Sequence, residues 1–259
     1  MLHEPGTVKL VGAGPGAADL LTLRAARLIE GAEALLYDAL VCGEVLALAP
    51  ANCLKIQTGK RAGRTSMSQD TINRLMLRLA RRGLRVVRLK GGDPAVFGRV
   101  GEERAFLAGH GIASEIVPGV TAASAAAAQF GAPLTHRGEA RRLMIATATL
   151  QGGALAGIDD ALAADRETTL ALYMAGQACG LVMARLIAAG RPAATPAMAV
   201  ENAGRRDARA IVSDLAGLPG ALEEAAFDGP VVIIAGDIVR QADLACGAPS
   251  AGSLRSGAC

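Results

Sequence analysis

Short aliphatic runs alternate along the chain with longer stretches whose apolar residues recur at i, i+3 and i+4, the pattern of an α/β protein with a largely parallel sheet. In the first half, TVKLVG at 7–12, EALLYD at 33–38, CLKIQT at 53–58, LRVVRL at 84–89 and SEIVPG at 114–119 predict strands. The segment 66–83 predicts a helix: Ser68 stands at the cap, Ile72, Leu75, Met76 and Leu79 form an apolar stripe, and arginines crowd the last turn before Gly83.

The segment QFGAPLTHRGEARR at 129–142 interrupts this rhythm with glycine, proline and charge, which predicts a junction between two α/β domains, 1–134 and 135–245. Beyond it, 143–149, 168–174, 196–202, 208–215 and 230–239 read as further strands, with a helix over 177–190. The stretch 246–259 is rich in Gly, Ser and Ala and is expected to be a flexible tail.

Composition narrows the classes of function. The 259 residues are 51% hydrophobic and 20% charged, which suits a globular chain rather than a disordered one. Net charge is +3 and aromatics make up 2% with no Trp, so neither a strong electrostatic footprint nor stacking platforms point to nucleic acid. The five cysteines are scattered without CxxC spacing, which argues against a zinc site or disulfide framework and fits a reducing cytoplasm. The start of the chain lacks the basic and apolar regions of a signal peptide, and no run is apolar enough to cross a bilayer. A cytoplasmic protein that meets neither membrane nor nucleic acid is the expectation.

Three glycine-containing segments carry the candidate chemistry. The first, VGAGPGAADLL at 11–21, satisfies a dinucleotide-binding GxGxxA with Gly12, Gly14 and Ala17, and Asp38 ends the second strand where a ribose-binding acid would lie. Pro15 counts against that reading, because it supplies no N–H to a phosphate. The second, LKGGDPAVFGRVGEE at 89–103, crowds Gly91, Gly92, Asp93, Arg99 and Glu102 into one loop, more than an ordinary turn requires. The third, VPGVTAASAAAAQFGAPLTHRG at 117–138, turns at Pro118 and Gly119, offers Thr121 as a cap, and places Arg137 after a proline near the domain junction.

In their order along the chain, VGAGPG with LLTLRAARLI, YDALV, GKRAGR, LKGGDPAVFGRVGEE, VPGVTAASAAAA, PLTHRG, LYMA and VENA resemble the tetrapyrrole methylase family over roughly residues 7–240. YDALV, GKR, FGR and THR resemble most the branch that methylates uroporphyrinogen III.

The resemblance implies two α/β domains of the tetrapyrrole methylase type with the active site in the cleft between them, a homodimer, and S-adenosylmethionine as methyl donor with S-adenosylhomocysteine as product. It assigns the donor to Pro15, Gly91, Gly92, Asp93, Val96, Thr121, Ala122, Met174 and Ala203. Asp38 and Lys60 fall at the family's acid and base positions, while Arg99, Glu102 and Arg137 match polar positions facing the tetrapyrrole. The implied reaction is two successive methyl transfers to uroporphyrinogen III, giving precorrin-2 for sirohaem or cobalamin, with no metal. An arginine fork suits a substrate with eight carboxylates, so Arg99 and Arg137 are expected to anchor it rather than to act as bases.

Ala95, Val100 and the strand reading IATATL depart from the family pattern, in which an aromatic, a glycine and a TGH-like stretch are usual. The motif series begins within about ten residues of the start, so a stand-alone methyltransferase without the fused domains of sirohaem synthase is expected. An NAD-dependent oxidoreductase using Gly12, Gly14 and Asp38, and a non-catalytic homologue of the methylases, stay open at this point.

Overall fold

The computed structural model describes residues 6–59, 67–148, 150–151, 154–155 and 158–245, the two short pieces 150–151 and 154–155 by their backbone alone. The expected tail at 246–259 and, of the GKRAGR motif, Lys60 and the residues after it lie outside the described residues. The chain forms two compact units, Met1–Ala122 and Ala123–Cys259.

The first unit alternates strands and helices: β1 (Val8–Gly12), α1 (Leu23–Glu30), β2 (Ala34–Tyr37), α2 (Gly43–Ala47), β3 (Leu54–Gln57), α3 (Gln69–Arg81), β4 (Val86–Lys90), α4 (Val100–Gly109) and β5 (Ser114–Val117). Among the described residues the strand pairs of this unit are all parallel, in the order β3-β2-β4-β1-β5. Side chains alternate across a strand, so each face of the sheet buries its own set. Val8, Leu10, Leu36 and Val86 pack with Met76 of α3 and Leu107 of α4. Val11, Leu35, Val87 and Leu89 pack with Ile29 of α1 and Val45 of α2 on the other face. Helix α3 begins where its cap predicts: the Ser68 hydroxyl accepts the Thr71 N–H at 3.1 Å.

The second unit contains α5 (Ala122–Gln129), whose first residue ends the preceding unit, followed by β6 (Arg142–Thr147), β7 (Leu150–Gln151), β8 (Ala154–Leu155), α6 (Asp160–Ala164), β9 (Thr168–Tyr173), α7 (Cys179–Ala188), β10 (Pro196–Glu201), β11 (Arg209–Asp214), α8 (Leu218–Ala225) and β12 (Val231–Ala235). Its main sheet runs β11-β10-β12-β9-β6, while β7 and β8 pair with each other.

Here the expectation of a largely parallel sheet fails. Among the described residues of its main sheet only β6 and β9 pair in parallel, and the β10–β11, β10–β12 and β12–β9 pairs are antiparallel. Residues 202–208 join β10 to β11, too short a connection for the dozen or more residues of a parallel crossover. Strand β12 then inserts between β9 and β10, opposed to both. One face of this sheet buries Leu170, Leu172, Ala197, Ala199 and Ile233 against Val182, Met183 and Leu186 of α7 and Leu218 of α8.

Candidate functional site

In the first unit the nominated residues gather where the parallel strands end, the side on which open α/β sheets bind ligands. The Ala13 N–H donates to the Lys90 carbonyl at 2.8 Å, and Gly14 and Gly92 exchange reciprocal backbone hydrogen bonds at 3.2 and 2.7 Å. Backbone approaches backbone too closely for side chains: a Cβ on Gly12 would lie 2.7 Å from Gly119 and from the Gly92 carbonyl, and one on Gly119 would lie 2.3 Å from that carbonyl.

Two carboxylates complete the knot. Asp38 accepts the Gly91 N–H at 3.0 Å on one oxygen and the Leu40 N–H at 3.0 Å on the other. Asp93 accepts the Gly119 N–H at 3.1 Å and the Ala95 N–H at 2.7 Å. The loops after β1, β2, β4 and β5 are thereby joined through Asp38, Gly91, Gly92 and Asp93, with Pro15 one residue past Gly14 in the same knot. Val96 follows on this loop, its N–H donating to the Asp93 carbonyl at 3.1 Å.

This geometry answers the dinucleotide reading. The glycine loop of a dinucleotide fold leads straight into a helix N-terminus and aims free N–H groups at pyrophosphate. Here a short 3₁₀ turn, Ala18–Leu20, intervenes, and α1 starts only at Leu23 behind its own cap, Thr22. The Gly14, Gly91, Gly92 and Gly119 N–H groups are spent on the protein itself. Asp38 is a loop tie rather than a ribose ligand at the tip of a free strand.

Further along the β4–α4 loop, Arg99 grips Glu102 through Nε at 2.8 Å and through a terminal nitrogen at 2.6 Å. Both side chains are more than half exposed. Each hydrogen bond favours the charged partners: the Glu102 carboxyl is held below its ordinary range and the Arg99 guanidinium above. Val100 turns inward as the first residue of α4 and joins the core of the first unit, while Ala95 is exposed.

Sequence reasoning missed a buried charge cluster beneath this loop. Glu103, fully buried, accepts from Arg88 at 3.1 Å, from Lys90 at 3.0 and 3.1 Å, and from the Gln69 amide at 3.1 Å. Burial, with the nearby Arg88 charge, pushes the Lys90 ammonium down despite the opposing pull of Glu103. Arg88 and Lys90 stand two apart on β4 and so share one face of the sheet, where two buried cations require a carboxylate from the facing helix. That spacing was the available signal.

Of the remaining nominees, Thr121 and Ala122 end the first unit, while Arg137, Met174 and Ala203 lie at separate places in the second. Helix α5 starts at Ala122, directly after Thr121, and the Ala123 N–H donates to the Tyr173 hydroxyl at 2.8 Å. Met174, next after Tyr173, is exposed and left-handed at φ 56°. Ala203 is buried in the turn after β10, between Asn202 at φ 54° and Gly204 at φ 77°.

The last residue of β10, Glu201, is buried and underpins that turn. Its carboxylate accepts the Asp228 and Gly229 N–H groups at 2.7 and 2.6 Å and the Arg209 guanidinium at 2.7 Å. Burial would raise its pKa, but the donors from Gly229, Arg209 and Asp228 prevail and hold it below the usual carboxylate range. Arg137 lies elsewhere on this unit, in an exposed turn closed by paired backbone bonds between His136 and Ala140 at 2.9 and 3.0 Å.

Strain marks the same places. Among the described residues five non-glycines have left-handed φ: Phe97, Arg99, Met174, Asn202 and Ala226. The first four fall in the nominated loops, and such conformations cost on the order of 1–3 kcal/mol each and concentrate at functional sites. Phe97, 42% exposed, was not among the expected site residues. Among the described residues no group of three or more His, Cys, Asp or Glu side chains is placed to hold a metal, and no helix is long and apolar enough to cross a membrane.

The fold and these loops define a class, and comparison with known proteins agrees. Residues 7–219 match the family model of the tetrapyrrole (corrin/porphyrin) methylases, and the chain belongs to that family. It is 44% identical over 234 residues to siroheme synthase of Methylococcus capsulatus, which covers 90% of this chain and 49% of that protein. It is 42% identical over 244 residues to the S-adenosyl-L-methionine-dependent uroporphyrinogen III methyltransferase of Arabidopsis thaliana chloroplasts, covering 93% of this chain and 65% of that one. The chain thus spans about half to two thirds of the length of these curated relatives. A Thermus thermophilus uroporphyrin-III C-methyl transferase, solved with S-adenosyl homocysteine, superposes with a TM-score of 0.75 at 41% identity, over 91% of this chain and 99% of that one.

Proposed function

We propose that the chain is an S-adenosylmethionine-dependent C-methyltransferase that methylates uroporphyrinogen III twice, through precorrin-1 to precorrin-2, for sirohaem, cobalamin or a related tetrapyrrole. The observation that carries this reading is the knot of loops in the first unit: its Gly14, Gly91, Gly92 and Gly119 N–H groups are spent on the protein itself, and the charges it holds are the half-buried carboxylates of Asp38 and Asp93. Such a surface is poor for phosphate. It suits an adenosyl sulfonium, which carries a positive charge and no phosphate.

When bound, S-adenosylmethionine supplies an electrophilic methyl group, leaving as S-adenosylhomocysteine. The protein's task is then alignment and proton removal. Gly91, Gly92, Asp93, Val96 and Pro15 in the first unit, with Thr121, Ala122, Met174 and Ala203, hold the donor. Arg99 and Arg137 orient substrate carboxylates, Arg99 by exchanging part of its grip on Glu102 for a carboxylate of the macrocycle. Asp38 is pre-set by two backbone donors, Gly91 and Leu40, and accepts or relays a proton lost from the macrocycle; Lys60 is the second acid–base residue that the family resemblance assigns. The same reading makes the working unit a cytoplasmic homodimer.

Anaerobic incubation with uroporphyrinogen III and S-adenosylmethionine, followed by mass analysis, tests the reaction. Gain of two methyl groups is the expected result. No gain at high enzyme concentration would leave a binding protein that kept the fold and lost the chemistry.

A further inference from the structure

Helix α5 is nearly all alanine, AASAAAAQ, and its last residue, Gln129, is the long polar side chain on it. That amide clasps the turn after β10 from both sides. Its Oε1 accepts the Gly204 N–H at 2.9 Å, and its Nε2 donates to the Arg205 carbonyl at 3.2 Å. A donor and an acceptor are both required, so the amide can face only one way.

The clasped turn holds Ala203 between two left-handed residues, Asn202 and Gly204, and closes through the Arg205 N–H on the Asn202 carbonyl at 3.0 Å. Asn enters the left-handed region more readily than other non-glycine residues, and constraints from its surroundings select that state for Asn202. Gln129 supplies two of those constraints. At the other end of the same helix, Ala123 is tied to Tyr173, which precedes left-handed Met174. Helix α5 is therefore a strut about 12 Å long that sets two turns at once, and Gln129 is its reach to the second.

We infer that Gln129 is a positioning residue of the donor site: through Gly204 and Arg205 it holds the Ala203 turn in the shape that binds the adenosyl group. The inference rests on the methyltransferase reading, because it takes Ala203 to touch the donor. Without the amide, the Gly204 N–H and the Arg205 carbonyl must find water, and the population of the strained turn falls.

The test uses the full chain and two variants, Gln129→Met, which keeps the length and removes both hydrogen bonds, and Gln129→Glu. Calorimetric titration with S-adenosylhomocysteine should show the dissociation constant of Gln129→Met raised about tenfold, as expected for two lost hydrogen bonds. The KM for S-adenosylmethionine should rise in parallel, with kcat at saturating donor and the KM for uroporphyrinogen III within about twofold of wild type.

Gln129→Glu presents a carboxylate to the Arg205 carbonyl at pH 8 and should bind weakly. As the pH falls to about 4, through the ordinary glutamate pKa of about 4.3, its carboxyl gains a proton, recovers one donor beside one acceptor, and should regain affinity relative to wild type. A residue that merely stabilised the fold would not produce this pH-dependent rescue of binding.

Both variants binding within twofold of wild type at every pH, whatever their melting temperatures, would overturn the inference. Failure of the wild type itself to bind S-adenosylhomocysteine would overturn the functional reading instead. Amide hydrogen exchange at Ala203 and Gly204 then decides whether Gln129 sets the turn: faster exchange in Gln129→Met supports it and unchanged exchange refutes it.

Discussion

Asp93 and Gly119 are joined by a hydrogen bond of 3.1 Å from the Gly119 N–H, so one carboxylate holds the loop after β4 against the loop after β5. A second bond, from the Ala95 N–H at 2.7 Å, folds the Asp93 loop on itself. Replacing Asp93 by Ala removes both ties and orphans the partly buried Gly119 donor, a loss of about 1–3 kcal/mol. S-adenosylhomocysteine affinity should fall at least tenfold, measured by calorimetry, while the variant remains folded by circular dichroism.

Asp38 has two duties that one substitution can separate. Asp38→Asn keeps an acceptor for one of its two backbone donors, Leu40 and Gly91, but cannot take a proton. Turnover should drop by roughly 10²–10⁴, the usual contribution of a general acid or base, with S-adenosylhomocysteine binding weakened far less. Near-normal turnover in single-turnover assays would reduce Asp38 to a loop tie.

Arg99→Ala should reduce kcat/KM for the tetrapyrrole by about 10², the scale expected when a reacting group is misplaced, and leave S-adenosylhomocysteine affinity within about threefold. Arg99→Lys should recover little, because a lysine keeps the charge but not the planar fork. Loss of donor affinity with intact tetrapyrrole binding would contradict the assignment.

The Glu103 carboxylate neutralises two buried cations, Arg88 and Lys90. Glu103→Ala leaves both uncompensated and should cost about 3–5 kcal/mol in urea unfolding. Lys90→Met, which leaves the Arg88–Glu103 pair intact, should cost less.

Glu201 predicts a pH dependence. Its folded pKa lies below the ordinary value, so the stability it contributes is fully present above the unfolded carboxylate's pKa of about 4.3 and is lost as pH falls through the depressed folded value. Glu201→Gln should therefore be less stable than wild type at pH 7, and the gap should close in acid. Urea midpoints measured from pH 7 down to pH 3 give the comparison.

Much of the first unit was legible because a parallel sheet covered on both faces leaves a plain record: five aliphatic runs fall on β1 to β5, and Ser68 marks the start of α3. The second sheet was misread for a related reason. PAMAVE of β10 is buried throughout, so its apolar run carries no trace of strand direction. The short link 202–208 was the better witness, since it rules out a crossover helix.

Within the site, glycines and carboxylates announced themselves by local crowding, whereas Gln129, Tyr173 and Glu201 did not. Their partners lie at Gly204, Ala123 and Gly229, between 28 and 75 residues away, and nothing in a window of sequence links them. The left-handed backbone at Phe97 and Asn202 was equally silent, being a product of tertiary fit.

The contact between Gly12 and Gly119 has a consequence for how substitutions distribute. With 2.7 Å available to a Cβ at one and 2.3 Å at the other, both positions reject every side chain irrespective of ligand. In a saturation library selected only for folded protein, glycine should be retained at 12 and 119. At Ala95, whose side chain is exposed, tolerance to substitution should narrow only when selection is for turnover. Comparing the two selections would separate residues kept for architecture from residues kept for chemistry, and the first glycine of VGAGPG falls with the architecture.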